Sequence, residues 1–297
     1  MGLRRIAAGV VALVAVALVV APGAGATATA PCGRVAHAPQ WKHVIVVAFE
    51  NHSYADVLGS SVPASEFKSL ARRCGVATGF TASHFPHSLP AYIASTSGRV
   101  TITGDCTPGP ACSSPDASIF SQLGQTGWRA FGESMPAPCS GANATPYVAR
   151  HMPPLYYTRI TAATCQADVR PLPASTPTSW PRFTWVSPNE NHDMERGSVG
   201  QASAWLTQFL EGPGGVLRGP PYTNGHTAVF IWFDTGADAD TVATPLPFIV
   251  ISPSTPHTAT ARPLDDMSAL RVWERMLGLP CINGACSATG MASAFHL

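Results

Sequence analysis

The sequence predicts an α/β fold, a three-layer α/β/α sandwich in which helices cover both faces of a mostly parallel sheet. Strand-like and helix-like segments alternate along the chain, and such alternation is typical of a parallel sheet. The predicted strands are Val44–Ala48, Gly75–Thr81, Arg182–Ser187, Val229–Phe233 and Pro247–Ser252. The predicted helices are Ala64–Arg73, Ala91–Ser97, Ala117–Gln125, Val199–Leu210 and Ser268–Leu277. The first strand is apolar without a break, which indicates that both of its faces are buried.

Residues 1–30 have the features of a bacterial export signal. Arg4 and Arg5 precede an apolar run from Ile6 to Ala21, and small residues that suit signal peptidase follow. The alternative, a retained membrane anchor, is disfavoured by Pro22 and by those small residues. We therefore expect a secreted protein without stable membrane insertion, in which residues 31–297 form one domain.

Composition excludes some partners and indicates the redox environment. Charged residues make up 12% of the chain and the formal net charge is +1, so there is no basic stripe to hold nucleic acid. Eight cysteines on an exported chain indicate disulfides. The simplest pairing joins Cys106 to Cys112, Cys281 to Cys286, Cys139 to Cys165 and Cys32 to Cys74, one of roughly 105 possible connectivities.

Glu50 and Asn51 follow the first predicted strand. Ligands in open α/β sheets bind at the carboxyl ends of strands. An anionic oxygen donor beside a neutral one suits a divalent cation, which favours a metal site there. The alternative is that the two residues only begin a turn, with Asn51 capping the helix that follows.

Ser88 lies where a strand-like segment meets a predicted helix. A serine in such a place has an exposed hydroxyl near backbone N–H groups that attract anions, which suits a nucleophile that attacks phosphorus. The alternative is an ordinary helix N-cap, a role that serine commonly has.

Several sequence blocks, in their order along the chain, resemble one family. An apolar strand ending in ENHSY is followed by SLPAYIASTSG, and then by IFSQLGQTGWRAFGESMP, VARHMPPLYY, FTWVSPNENHDM and VFIWFDTGADAD. FIVISPS, LRVWERMLGLP and SATGMASAFHL continue the match to the end of the chain. This pattern is similar to that of secreted bacterial phosphoesterases, which include acid phosphatases and phospholipases C. The resemblance implies an alkaline-phosphatase-like fold.

The resemblance also implies roles for individual residues. Glu50, Asn51, Asp193 and Asp234 would be metal ligands, and Ser88 would accept the phosphoryl group before water hydrolyses the phosphoserine. A cation beside a serine lowers the pKa of its hydroxyl and neutralises charge on the transferring phosphoryl oxygens.

The chain departs from the family pattern at several positions. Thr235 follows Asp234 where relatives carry a second acid, Glu195-Arg196 replaces a His-Asp pair, and Ala91 stands where relatives have Asn. Asp266 stands where many relatives have a histidine ligand, and a carboxylate there suits Mg²⁺, Ca²⁺ or Mn²⁺. Asp238 or Asp240 could supply the missing carboxylate, and the alternative, favoured for Asp240, is a solvated acidic loop. The alternative is that Asp265 and Asp266 cap the helix that follows.

Other polar residues are candidates for acid catalysis or substrate contact. His87 and His192 are expected to donate protons, because histidine titrates near neutral pH. His84, Glu133 and His151 are expected to contact substrate, the last two from lid-like excursions around residues 97–180. The alternative roles are a turn cap for Glu133 and a hydrogen bond to a buried carbonyl for His151.

Taken together, these patterns favour a secreted, metal-dependent phosphoesterase that acts on a small phosphorylated substrate. The expected activity is acid-phosphatase-like, with a phosphoserine intermediate and a divalent metal ion of Mg, Ca, Mn or Zn type. Two alternatives remain open: a phospholipase C-like phosphodiesterase, and a weakened relative that only binds a phosphorylated ligand. The sequence specifies neither the substrate nor the oligomeric state.

Overall fold

The computed structural model describes residues 1–2, 30–62, 64–84, 86–237 and 240–297. Most of the expected export signal, residues 1–30, and the candidate ligand Asp238 therefore lie outside the described residues. In the described part of the chain, no helix combines the length and the hydropathy that a membrane crossing needs.

One eight-stranded sheet forms the middle layer, with the strand order β4-β3-β5-β1-β6-β7-β2-β8. Among the described strands, only β7 runs against its two neighbours, β6 and β2; the other pairs are parallel. In chain order the strands are β1 His43–Phe49, β2 Gly75–Ala77, β3 Trp128–Gly132, β4 Val169–Pro171, β5 Phe183–Ser187, β6 Thr227–Phe233, β7 Phe248–Ile251 and β8 Thr258–Thr260. The mostly parallel sheet predicted from the sequence is confirmed.

Helices cover both faces of this sheet. They are α1 Tyr54–Leu58, α2 Ser65–Arg73, α3 Ser88–Ser97, α4 Ile119–Leu123, α5 Ala162–Asp168, α6 Val199–Glu211, α7 Pro220–Thr223 and α8 Asp266–Met276, with five short 3-10 turns between or after them. Phe49 packs against Phe67 of α2 and Trp205 of α6 on one face. On the other face Trp185 packs against Tyr92 of α3 and Trp273 of α8. Side chains alternate along a strand, so Glu50, which follows Phe49, points toward α3.

The structure corrects several predicted boundaries. The prediction over Gly75–Thr81 is too long, because β2 ends at Ala77 and only an isolated bridge from Phe80 to Leu264 follows. The helix predicted over Ala117–Gln125 is also shorter: the Ser118 side chain accepts from Ser121 N, and Gly124, with φ of 65°, ends α4. Residues 161–180, expected as an excursion, include α5 and the edge strand β4.

Four disulfides cross-link the chain. They join Cys32 to Cys74, Cys106 to Cys112, Cys139 to Cys165 and Cys281 to Cys286, which is the pairing expected from the sequence. Disulfides of this number are typical of proteins that fold in an oxidising compartment.

Candidate active site

Acidic residues converge at the carboxyl edge of the three central strands. Glu50 follows β1 and Asp234 follows β6, while the loop after β5 carries Asp193 and Glu195. Two backbone hydrogen bonds hold these loops together, from Glu50 N to Asp193 O at 2.9 Å and from Asp234 N to Phe49 O at 3.2 Å. The parallel arrangement of β5, β1 and β6 therefore places four carboxyl groups at one point on the sheet.

Helix α3 supplies two hydroxyl groups to the buried carboxylate of Glu50. Ser88 Oγ donates to Glu50 Oε2 at 2.7 Å, and the hydroxyl of Tyr92 donates to Oε1. Serine and tyrosine stand four residues apart, so both side chains lie on the helix face that meets the sheet. Each oxygen of Glu50 is thus hydrogen-bonded from α3.

Ser88 is the first residue of α3 rather than its cap. His87 is the N-cap, and the Ser88 hydroxyl donates to a carboxylate instead of accepting from the backbone. The N-cap alternative is therefore wrong. The expectation of an exposed hydroxyl is also wrong, because Ser88 is only 4% exposed.

His151 lies among three carboxylates. It ends a 3-10 turn, Ala149–His151, and is 1% exposed. Its Nδ1 is 3.0 Å from Asp193 Oδ2, and its Nε2 is 3.2 Å from Glu50 Oε1 and 3.5 Å from Glu195 Oε2. The ring also stacks on Tyr92, with centroids 5.5 Å apart. The cluster thus combines an imidazole with oxygen donors.

Asn51 and Thr235 link the ends of β1 and β6. Asn51 N donates to Asp234 Oδ1 at 3.1 Å, and Thr235 Oγ1 donates to Asn51 Oδ1 at 3.0 Å. Asn51 does not cap α1, because Ser53 does. With φ of 49°, Asn51 has the left-handed conformation that asparagine tolerates better than most residues. Thr235 stands where the family pattern has a second acid. Its hydroxyl therefore orients the Asn51 amide.

The charge balance of the cluster favours a cation. Burial raises the pKa of Glu50 well above its ordinary value, and nearby Asp234 adds to that rise. Burial also raises the pKa of Asp234. Burial alone would lower the pKa of His151, but Glu50, Asp193 and Glu195 raise it well above its ordinary value. Several buried carboxylates this close together are costly unless positive charge compensates them.

The donor atoms fit a divalent metal ion. One atom each from Glu50, His151 and Glu195 can be chosen so that all lie within 4.8 Å of one another. His151 Nε2 is buried and has no hydrogen-bond partner of good geometry, as expected for an atom that faces a cation. Carboxylate and imidazole donors suit Mn²⁺ and Zn²⁺, and the oxygen donors alone suit Mg²⁺ or Ca²⁺.

Arg150 is the cation nearest to this group. Its Nη2 is 2.6 Å from Glu195 Oε2, and its side chain is 21% exposed. Burial disfavours the charge on Arg150, yet the carboxylates of Glu50 and Glu195 raise the pKa of its guanidinium further. Hydrogen bonds and charge from His151 and Arg150 outweigh burial and lower the pKa of Glu195 to about 2.

Glu133 and His192 form a separate pair. His192 Nδ1 lies 2.9 Å from Glu133 Oε2, and Glu133 also accepts from Asn189 N at 2.9 Å and from Trp205 Nε1 at 3.1 Å. The imidazole of His192 stacks on Trp205. These contacts direct the pair toward Trp205 of α6, and the pair is linked to the Glu50 cluster through the chain, because His192 directly precedes Asp193.

The remaining candidates have other partners. Asp266 is buried and accepts from Trp232 Nε1 at 2.9 Å and from Ser83 N at 2.7 Å, whereas Asp265 is the N-cap of α8. His87 is exposed, with Nδ1 3.7 Å from Asp105 Oδ2, and His84 is half-buried. Among the described residues, none of the three hydrogen-bonds to the Glu50 cluster.

Sequence reasoning missed three residues of the cluster: Tyr92, Arg150 and Glu195. A signal existed for each of them. Tyr92 follows Ser88 by four residues, Arg150 precedes His151, and Glu195 follows Asp193 by two. The family resemblance indicates the loss of a histidine at Glu195, but Glu195 supplies an oxygen that His151 and Arg150 both approach.

Comparison with known proteins agrees with this architecture. No family model matches the chain. Phosphatidylinositol-3-phosphatase of Mycobacterium tuberculosis is 26% identical over 256 residues, which cover 84% of this chain and 81% of the relative.

Two solved structures share the fold. Ps i-CgsB has a TM-score of 0.55 at 12% identity, covering 86% of this chain and 76% of that one. Murine ectonucleotide pyrophosphatase/phosphodiesterase 5 has a TM-score of 0.50 at 8% identity, covering 81% and 96%. This likeness confirms the α/β fold that the sequence predicts.

Proposed function

We propose that this protein is a metal-dependent phosphoesterase that hydrolyses small phosphomonoesters through a phosphoserine on Ser88. The observation that carries the proposal is the 2.7 Å hydrogen bond from Ser88 Oγ to Glu50 Oε2, inside a cluster of carboxylates. The similarity to a phosphatase of Mycobacterium tuberculosis supports the reaction class. We further propose that the protein is secreted, to which the four disulfides add support.

The first step is the attack of Ser88 on phosphorus. Ser88 Oγ forms a bond to the phosphorus atom, the bond from phosphorus to the leaving oxygen breaks, and the hydroxyl proton passes to Glu50. Glu50 suits this role because its Oε2 already accepts the hydrogen bond from the Ser88 hydroxyl at 2.7 Å. In the second step the oxygen of a water molecule bonds to phosphorus and the bond from phosphorus to Ser88 Oγ breaks. Glu50 returns its proton to Oγ, and one proton of the water passes to the imidazole that protonated the leaving oxygen in the first step.

Charge on the phosphoryl oxygens needs compensation during both steps. The divalent cation would be held by Glu50, His151 and Glu195. When bound, it would lower the pKa of the serine hydroxyl and neutralise charge on the phosphoryl oxygens. The groups around the cation would also include Asn51 and Asp234, which hydrogen-bond to each other. Asp193 would contribute indirectly, through its contact with the imidazole of His151. We assign Arg150 to a phosphoryl oxygen, because its buried Nε has no partner among the described residues and its guanidinium is already at the cluster.

The leaving oxygen needs a proton. His87 is the N-cap of α3, directly before Ser88, and is exposed, so we propose it as the donor. His192 is the second candidate, since Glu133 holds its Nδ1 and leaves Nε2 available. Glu133 and His84 are then proposed to border the substrate.

The test is aryl phosphate hydrolysis combined with metal binding. We expect chelation to abolish activity and to lower the melting temperature, with both restored by one of the four candidate cations. A cation at 100 times its Kd stabilises the fold by about 2.7 kcal/mol. Glu50→Gln should lose both the activity and the cation-dependent rise in melting temperature.

Glu211→Gln is the matched control, because Glu211 is a surface carboxylate paired with Arg73 at 2.9 Å, away from the cluster. It should keep both properties. An unchanged melting temperature and unchanged hydrolysis after chelation would remove the cation from the proposal.

A further inference from the structure

A large open cavity lies at the edge of the sheet opposite to the candidate active site. It measures about 900 Å³ and is bordered by the segments that precede β1, β3 and β5 and by the end of α8. Because these strands are parallel, their amino ends lie at the edge away from Glu50. Cavities of roughly 300–1,000 Å³ are the size of typical small-molecule sites.

Positive charge is concentrated in this cavity. Lys42, Arg182 and Arg275 line it, and no Asp or Glu side chain is found among its described lining residues. Lys42 and Arg275 make no ion pair within the described part of the chain, although the whole sequence has nearly as many acidic as basic residues. Arg182 donates only to the carbonyl of Leu277. Three cationic side chains with no acidic side chain among the described lining residues favour the binding of an anion.

The wall of the cavity is largely apolar. Trp41 and Trp180 line it, together with Met276 and Leu277 at the end of α8. Trp41 is half-buried, and the indole of Trp180 packs edge-on against Phe131 and Phe209. A second cavity of about 240 Å³ shares Lys42, His43 and Trp180 with it, and Pro220 and Pro221 add apolar surface among its otherwise polar lining. Apolar surface beside cationic groups suits a ligand that has both kinds of group.

We infer that this groove binds an amphipathic anion, a molecule with one anionic head on an apolar chain. The head lies between Lys42 and Arg275, and the chain lies along Trp41, Trp180 and Met276. The site is separate from the Glu50 cluster and does not depend on the proposed hydrolysis. A fatty acid is a suitable probe because it has no phosphoester for the other site to cleave.

The experiment measures binding of decanoate by isothermal titration calorimetry and tryptophan fluorescence. The test variant is the double charge reversal Lys42→Glu/Arg275→Glu. Arg182 is left unchanged, because its bond to Leu277 O holds the end of α8. Arg72→Glu is the matched control, since Arg72 is exposed on α2 and does not border the cavity. The neutral analogue decanol separates the contribution of the head from that of the chain.

We expect decanoate to bind the wild-type protein and the Arg72→Glu protein equally, and at least tenfold more weakly to the double variant. Decanol should bind at least tenfold more weakly than decanoate to the wild type. Hydrolysis of aryl phosphate and the melting temperature, both measured without decanoate, should be the same in all three proteins. Equal decanoate affinity in the double variant, equal affinity for decanol, or no binding to the wild type would each overturn the inference.

Discussion

At the residue scale, Glu50 is the centre of the candidate site. Its two oxygens accept from Ser88 and Tyr92, and His151 Nε2 lies 3.2 Å from Oε1. The sequence pointed to Glu50 through a general rule, that ligands bind at the carboxyl ends of strands. It did not identify Tyr92, because a tyrosine inside an apolar helix is more often a core residue. In the structure, however, the Tyr92 hydroxyl donates a hydrogen bond to Glu50.

Tyr92→Phe tests this contribution. The change removes the hydrogen bond to Glu50 but keeps the ring that stacks on His151. A hydrogen bond to a charged group contributes about 1.5–3 kcal/mol, so we expect kcat to fall roughly 10- to 100-fold and cation affinity to weaken. Tyr157→Phe is the control, because the buried Tyr157 hydroxyl bonds to Thr96 of the same helix. A Tyr92→Phe protein with wild-type kcat and cation affinity would show that the hydroxyl has no positioning role.

Asp266 can be tested in the same way. The resemblance predicts a metal ligand at this position, whereas both of its oxygens accept from Trp232 Nε1 and Ser83 N. We expect Asp266→His to leave both buried donors unpaired and to lower the free energy of unfolding by about 2–3 kcal/mol. Chemical unfolding measures this loss. A cation titration of activity should show no change of preference, and a shift toward zinc would instead make Asp266 a ligand.

At the element scale, the central elements were predictable and the peripheral ones were not. The strands β1, β5, β6 and β7 are mostly apolar and buried on both faces, which gives a clear pattern. The edge strands β4 and β8 have three residues each and are partly exposed, too short for any periodicity to be visible. Strand β3 was missed because Arg129 interrupts its apolar run, and that guanidinium pairs with Asp168 at 3.2 Å.

Helix α8 carries a carboxyl group that should make stability depend on pH. Glu274 is 1% exposed, and burial raises its pKa from 4.5 to about 7. Since its pKa is higher in the folded protein, the folded state binds the extra proton between these two values. The contribution of Glu274 to stability is therefore full below about pH 4.5, falls as the pH rises to about 7, and is constant above that.

Glu274→Gln should remove this dependence. The amide oxygen can still accept from Ile282 N, the bond that Glu274 makes at 3.1 Å. We expect the variant to be more stable than the wild type at pH 8, by on the order of 1–2 kcal/mol, with the difference vanishing near pH 5. Urea unfolding at several pH values measures the difference, with Glu211→Gln as a surface control. Parallel pH profiles for Glu274→Gln and the wild type would contradict the argument.

At the scale of the whole molecule, the order of the strands in the sheet determines which residues meet at the candidate site. Glu50, Ser88, His151, Asp193 and Asp234 are spread over most of the chain, and the strand order brings them to one edge. The sequence could predict that edge, because an acidic residue directly follows both β1 and β6. It could not predict that Glu133 and His192 pair with each other or that Asp266 turns toward Trp232. These outcomes depend on side-chain directions in loops that no periodicity specifies.

The central claim is that Ser88 carries the phosphoryl group, and trapping the intermediate tests it most directly. The protein is mixed with an aryl phosphate, quenched in acid during turnover, digested and mapped by mass spectrometry. We predict one phosphoryl group on Ser88 in the wild type. We predict the same in Ser95→Ala, which removes another buried hydroxyl of α3 that bonds to Tyr92 O at 3.1 Å. Ser88→Ala should carry no phosphoryl group and have no activity. Turnover at the wild-type rate in Ser88→Ala, or a phosphoryl group on another residue, would contradict the account.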